Sequence, residues 1–184
     1  VERGLGGPAD SLVAWRDGVA GGGITGPRLY ISGPMIDGAP ATWPGATAAT
    51  TAGQARSAVG QLVLLGASQA KIYTKVDSAL LAAIMDEAST LQLPVAAHLG
   101  KIDALTAAKM GVRSLEHMSG VVEATVANPA PYFRAHQEFF PGWNMFERGW
   151  ALLDSTGLDR TAHALVQTGV AIVPTLTIHD AFVH

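Results

Sequence analysis

The 184 residues contain no cysteine, so disulfides and thiolate metal sites are excluded. Any metal must be held by histidine, carboxylate or a modified lysine. Charge is sparse too: 15% of residues are charged, and the formal net charge is −3. That balance lacks the basic stripe a phosphate backbone demands, which argues against a nucleic-acid partner. No apolar run reaches the ~18 residues of a membrane span, so no membrane partner is expected. No G-x-G-x-x-G follows the first strand, which lowers the dinucleotide-binding option. The chain opens on Val1-Glu2-Arg3, with neither methionine nor an apolar targeting segment. This predicts an internal piece of a longer, soluble protein. The compartment stays open: cytoplasmic or, with a signal peptide upstream, secreted or periplasmic.

What is present is apolar and regularly patterned. Hydrophobic residues make up 48% of the chain, enough to bury a core. Leu93-Pro94-Val95-Ala96-Ala97-His98-Leu99-Gly100 reads as a strand buried on both faces and ending in a histidine. Gly111-Val112-Arg113-Ser114-Leu115-Glu116-His117 repeats the design, and Ser68-Gln69-Ala70-Lys71-Ile72-Tyr73-Thr74 precedes it with a lysine. The intervals suit one helix and two short loops each.

In chain order, residues 1–7 read as a strand end running into a glycine-rich loop. Residues 10–20 fit a helix with Leu12, Trp15 and Val19 on one face, and 28–33 a short strand. Residues 34–53, rich in Gly, Pro, Ala and Thr, read as a long loop. Helices are expected over 54–65, from 77, over 103–110 and over 158–167, and a last buried strand over 170–176. Residues 129–150 break the rhythm and hold Tyr132, Phe133, Phe139, Phe140, Trp143, Phe146 and Trp150. Strands alternating with helices mean parallel βαβ units. Functional side chains at successive strand ends favour a barrel, where those ends converge. The expectation is α/β, an incomplete (β/α)8 TIM barrel in one domain over 1–184, with an aromatic-rich insertion at about 121–150.

The strand ends carry the chemistry. His98 and His117 are candidate metal ligands, because neutral imidazole is the commonest one; a cysteine-free, histidine-rich site suits zinc, with manganese second. Lys71, inside a buried strand, must pair with a charge or lose its proton. A neutral amine there could form a Schiff base, which keeps a metal-free lyase or aldolase open. Period-2 alternation puts Tyr73 and Lys75 on the face of Lys71, so Lys75 competes for its role. His179 and Asp180, past the last strand, are candidates for the substrate rim. His163 reads as a surface residue, and His136 as an unsupported substrate candidate. Glu116 alternates away from His117, which reads as helix-facing or ion-paired.

These motifs, together with Gly26-Pro27-Arg28-Leu29-Tyr30-Ile31-Ser32-Gly33 and Val173-Pro174-Thr175-Leu176, resemble the amidohydrolase superfamily. The resemblance is closest to its imidazolonepropionase-like and prolidase-like branch. It implies that Lys71 is a carbamylated lysine bridging two metal ions, and that His98 and His117 are metal ligands; these three are also the expected catalytic residues. It implies cleavage of a non-peptide or peptide-like C–N bond, in an amide or cyclic-amide small molecule, by metal-activated water, with one or two divalent ions. Tyr73, Trp143 and His179 are the expected substrate-binding residues. The family's His-x-His pair on strand one and its aspartate on strand eight are not among these residues, so the chain is expected to cover about strands three to seven. As an isolated piece it is expected to be inactive and to self-associate; a non-catalytic remnant of the fold is the remaining alternative.

Overall fold

The computed structural model describes residues 1–177. Its strands are β1 (Glu2–Gly4), β2 (Leu29–Ile31), β3 (Ile36–Gly38), β4 (Thr47–Ala49), β5 (Ala70–Ile72), β6 (Val95–Ala97), β7 (Ser114–Glu116) and β8 (Ala171–Val173). Its α-helices are α1 (Ala9–Ala20), α2 (Ala52–Leu64), α3 (Ser78–Thr90), α4 (Ala104–Lys109), α5 (Val121–Thr125), α6 (Ala130–Ala135), α7 (Phe139–Gly149) and α8 (Ser155–Thr168). A short 3-10 turn follows α7 at Trp150–Leu152.

Every strand pairing is parallel. Six strands run in the order β4-β3-β5-β6-β7-β8, and β1 pairs with β2 beside them. The Ser68 N–H donates to the Ile31 carbonyl at 2.8 Å, which ties β2 to the start of β5. The strands β1, β2, β5, β6, β7 and β8 thus follow one another around a single curved wall. Its curvature is visible in one side chain. Arg3 on β1 donates to both carboxylate oxygens of Glu116 on β7, at 2.8 and 3.0 Å. In a flat sheet four strand spacings would put those strands about 19 Å apart, beyond the reach of an arginine. The wall curls, and Arg3 crosses its inside.

The helices form for local reasons and dock for apolar ones. Asp77, Asp103 and Asp154 each accept a backbone N–H in the first turn of α3, α4 and α8, satisfying donors the helix itself cannot. Gly169 closes α8 in the left-handed conformation that glycine adopts without steric cost. Ala55, Ala58, Val59 and Leu62 of α2 and Leu81, Ile84 and Ala88 of α3 pack with Ile72, Val95 and Leu115 of the strands in the main core.

Four expectations need correction. Residues 34–53 are not one loop: β3 and β4 lie within them, because Ile36 pairs with Ile72 at the end of β5. Helix α1 buries none of its residues, and Trp15 is 58% exposed. Among the described residues β8 lies at the edge of the sheet, and Ile172 is 40% exposed where burial on both faces was expected. Helix α8 begins at Ser155, three residues before the expected start, because Asp154 caps it. Within residues 129–150 the chain is mostly helical, as α6 and α7.

Candidate functional site

The site is built on the carboxyl ends of β5, β6 and β7. Lys71 is the middle residue of β5; His98 and His117 directly follow β6 and β7. Backbone bonds fix the last two: His98 N–H donates to Ile72 at 3.1 Å and His117 N–H to Val173 at 2.7 Å. His117 and Met118 both adopt positive φ, 59° and 53°, a conformation that costs non-glycine residues about 1–2 kcal/mol each. Backbone strain of this kind concentrates where a side chain must be aimed.

The parallel register brings the side chains together. The rings of His98 and His117 are 5.2 Å apart, Tyr73 lies 4.5 Å from His98, and Lys71 Nζ lies 5.9 Å from the Tyr73 ring centre. Trp143 of α7 covers both histidines, with ring separations of 5.6 and 6.2 Å. Lys71 and His98 are each 2% exposed. Among the described residues, neither Lys71 Nζ nor either ring nitrogen of His98 has a hydrogen-bond partner. Buried polar atoms normally do.

Burial dominates the electrostatics. It lowers the Lys71 pKa to about 7; the Glu116 carboxylate opposes that shift and Arg3 adds to it. Burial also holds His98 well below the ordinary imidazole range, helped by Lys71, His117 and His136, so its ring is neutral at pH 7. The Tyr73 phenol is raised by burial, with the Trp43 side chain acting against the shift through a hydrogen bond.

The other candidates fall into place around this group. Lys75 does not share the role of Lys71: its Nζ donates to the Pro40 carbonyl at 2.7 Å. Strand geometry ends at Ile72, so the period-2 argument fails beyond it. Glu116 is ion-paired, as expected, but inside the wall rather than toward a helix, with Ser114 Oγ and Arg3 as partners. His163 is exposed. His136 is 2% exposed, with Nε2 3.4 Å from Glu123 Oε1. His179 and Asp180 lie outside the described residues.

Two participants escaped sequence reasoning. Glu123 sits in the first turn of α5, just past the His117 strand, a position where a carboxylate is a signal. Trp43 lies between β3 and β4, and its ring packs on Tyr73 and Phe139 at 6.3 and 5.2 Å. A lone tryptophan in a Gly- and Pro-rich stretch was the available sign.

Two imidazoles and an amine can serve as a ligand set or as nucleophilic machinery. Among the described residues no three of His, Cys, Asp and Glu come together to hold a metal. A metal here needs Lys71 as its third donor. The neutral His98 ring and its unpartnered nitrogens fit that use; an ammonium on Lys71 would not, whereas the neutral amine or a carbamate made from it would.

No protein-family model matches the chain, and no curated protein matches it in sequence. Solved structures do match in fold. A Xaa-Pro dipeptidase with bound methionine in its active site superposes with a TM-score of 0.61 at 18% identity, over 95% of this chain and 42% of the other. Bottromycin amidohydrolase gives a TM-score of 0.61 at 17% identity, over 92% of this chain and 51% of the other. The A. niger ochratoxinase gives 0.54 at 19%, over 92% and 50%. The chain shares with these three structures a fold in which a parallel sheet curls into part of a barrel, and it spans about half their length.

Proposed function

We propose that this chain carries the metal-binding centre of an amidohydrolase-type hydrolase that cleaves a C–N bond in an amide or cyclic-amide small molecule. The observation that carries the reading is the set of buried donors without hydrogen-bond partners, Lys71 Nζ and both nitrogens of His98, at the carboxyl ends of neighbouring parallel strands beside His117. The shared fold with a dipeptidase and an amidohydrolase supports it.

Lys71, His98 and His117 would hold the metal, zinc first and manganese second, with Lys71 as its carbamate. A divalent ion bound there supplies Lewis-acid polarisation of the carbonyl and lowers the pKa of a water. The protein's own residues do the rest. Burial keeps the Lys71 amine near neutrality, the form that can take up carbon dioxide. His98 stays neutral and offers a lone pair. Arg3 holds the Glu116 charge in place, so that carboxylate does not compete for the amine. Trp143 excludes water from the histidine faces.

The test is a calorimetric Zn2+ titration of the chain and of His98→Ala. Stoichiometric Zn2+ uptake that His98→Ala abolishes supports the reading. Absence of uptake overturns it. One observation favours a second reading: an amine of pKa about 7 is also suited to an imine. Borohydride trapping of a carbonyl compound on Lys71 of the metal-free chain would decide for it.

A further inference from the structure

We propose that Glu123 and His136 are positioning residues that act through Trp143, fixing its ring over His98 and His117. The inference uses where those two histidines stand and is independent of whether they bind a metal.

His136 directly follows α6, at the turn into α7. Its ring is wedged between two stretches of backbone. A β-carbon on Gly100, just past His98, would stand 3.0 Å from His136 Cγ. One on Gly142, the residue before Trp143, would stand 2.3 Å from His136 Nδ1 and 2.6 Å from Cγ. Glycine at both places lets the imidazole lie between the strand end that carries His98 and the helix that carries Trp143. The ring is the spacer between them.

Glu123 reaches the same ring from a third element. It stands in α5, which follows the His117 strand, and its Oε1 lies 3.4 Å from His136 Nε2. Glu123 and His136 are each 2% exposed, and among the described residues neither side chain has a hydrogen-bond partner. A carboxylate buried this deeply is costly unless a cation stands beside it. The His136 imidazole is the neighbour that can supply that charge. Apolar side chains would fill the space at less cost, as Val122, Tyr132, Trp143 and Phe146 do in the adjoining cluster. Stability therefore does not account for the pair. What it adds is direction. Apolar contacts let a helix roll or slide, whereas an attraction to α5, with backbone against both sides of the ring, leaves α7 one placement. That placement sets the Trp143 ring 5.6 Å from His98 and 6.2 Å from His117.

The test is carbethoxylation of the metal-free chain by diethyl pyrocarbonate, with chelator present, read histidine by histidine by peptide mass spectrometry. His163, which is exposed, is the internal reference. His98 should react far more slowly than His163 in the unaltered chain. Trp143→Ala and His136→Ala should each raise the His98 rate relative to His163 about 10-fold or more, because a segment opens more often once its anchor is removed. Glu123→Gln removes the charge at constant shape and should act in the same direction, so it carries the comparison even where His136→Ala does not fold. Adding Trp143→Ala to either variant should give no faster reaction than Trp143→Ala alone, since both losses act through one ring. Leu62→Ala, a core truncation in α2, should leave the His98 rate unchanged, which separates lost position from lost stability. An unchanged His98 rate in Glu123→Gln and His136→Ala, increases that add in the double variants, or an equal increase from Leu62→Ala would overturn the positioning role. The Zn2+ titration reports separately. Trp143-dependent protection without uptake keeps this role and removes the metal reading; uptake without such protection does the reverse.

Discussion

At the scale of single residues, Lys71 decides most of the site's chemistry, and its burial makes a measurable statement about stability. The amine titrates at about 7 when folded and near 10.5 when exposed. Between those values the unfolded chain binds a proton that the folded chain has released, so stability rises with pH across that window. Below about 7 both states carry the proton and the cost of burying it is fully felt. Denaturant unfolding with chelator present should therefore show the wild-type chain gaining about 2 kcal/mol from pH 7 to pH 9 relative to Lys71→Met. Parallel pH profiles for the two proteins would mean that Lys71 is not the buried amine described. The lysine was legible in the sequence as an oddity inside an apolar strand. The charges that act on it were not: Glu116 and Arg3 are 113 positions apart in sequence and meet only because the wall curls.

At the scale of elements, α7 is where sequence pattern and packing disagree most. Its aromatics read as one insertion, and the helix in fact divides them between a small core and the surface: Trp143 is 8% exposed while Phe140 is 66% exposed. Gly142 sets how close α7 sits, since a β-carbon there would fall 2.3 Å from His136 Nδ1 and 2.8 Å from His136 Cα. In α2, Gly60 has nothing within 4 Å of such an atom. The same substitution should act with opposite sign at the two places. Gly60→Ala gains about 0.5–1 kcal/mol of helix propensity. Gly142→Ala should lose about 1–3 kcal/mol net to overpacking and shift Trp143 fluorescence as α7 moves off His136. Thermal and urea melts of the two variants check this; equal signs would refute the close packing.

For the molecule as a whole, the wall has open borders. The outer side of β8 pairs with no strand among the described residues, and Ile172 on it is 40% exposed. Unpaired N–H and C=O groups beside apolar side chains invite another copy. We expect the mass of this chain in sedimentation to rise with concentration, and Ile172→Lys to suppress the rise by placing a charge on the edge. A wild-type monomer at high micromolar concentration would count against edge pairing. No described helix is long and apolar enough to cross a membrane.

The sequence by itself determined the alternation of strand and helix, the helix starts near Asp77 and Asp103, the placing of His98 and His117 at the ends of their strands, and that of Lys71 inside a buried one. These follow from local rules, because hydrophobic run length, side-chain capping and glycine stops act within one or two turns of chain. The tertiary structure decided what depends on distant segments meeting. It divided residues 34–53 into β3 and β4, because the partner of Ile36 lies 36 positions away at Ile72. It gave Lys75 to a loop carbonyl rather than to the site, since strand geometry stops at Ile72. It turned β8 into an exposed edge, which an apolar run cannot announce, because exposure depends on which neighbours flank the strand. It also carried Trp43 across to Phe139, from opposite sides of the histidines, and no periodicity within either segment records that approach.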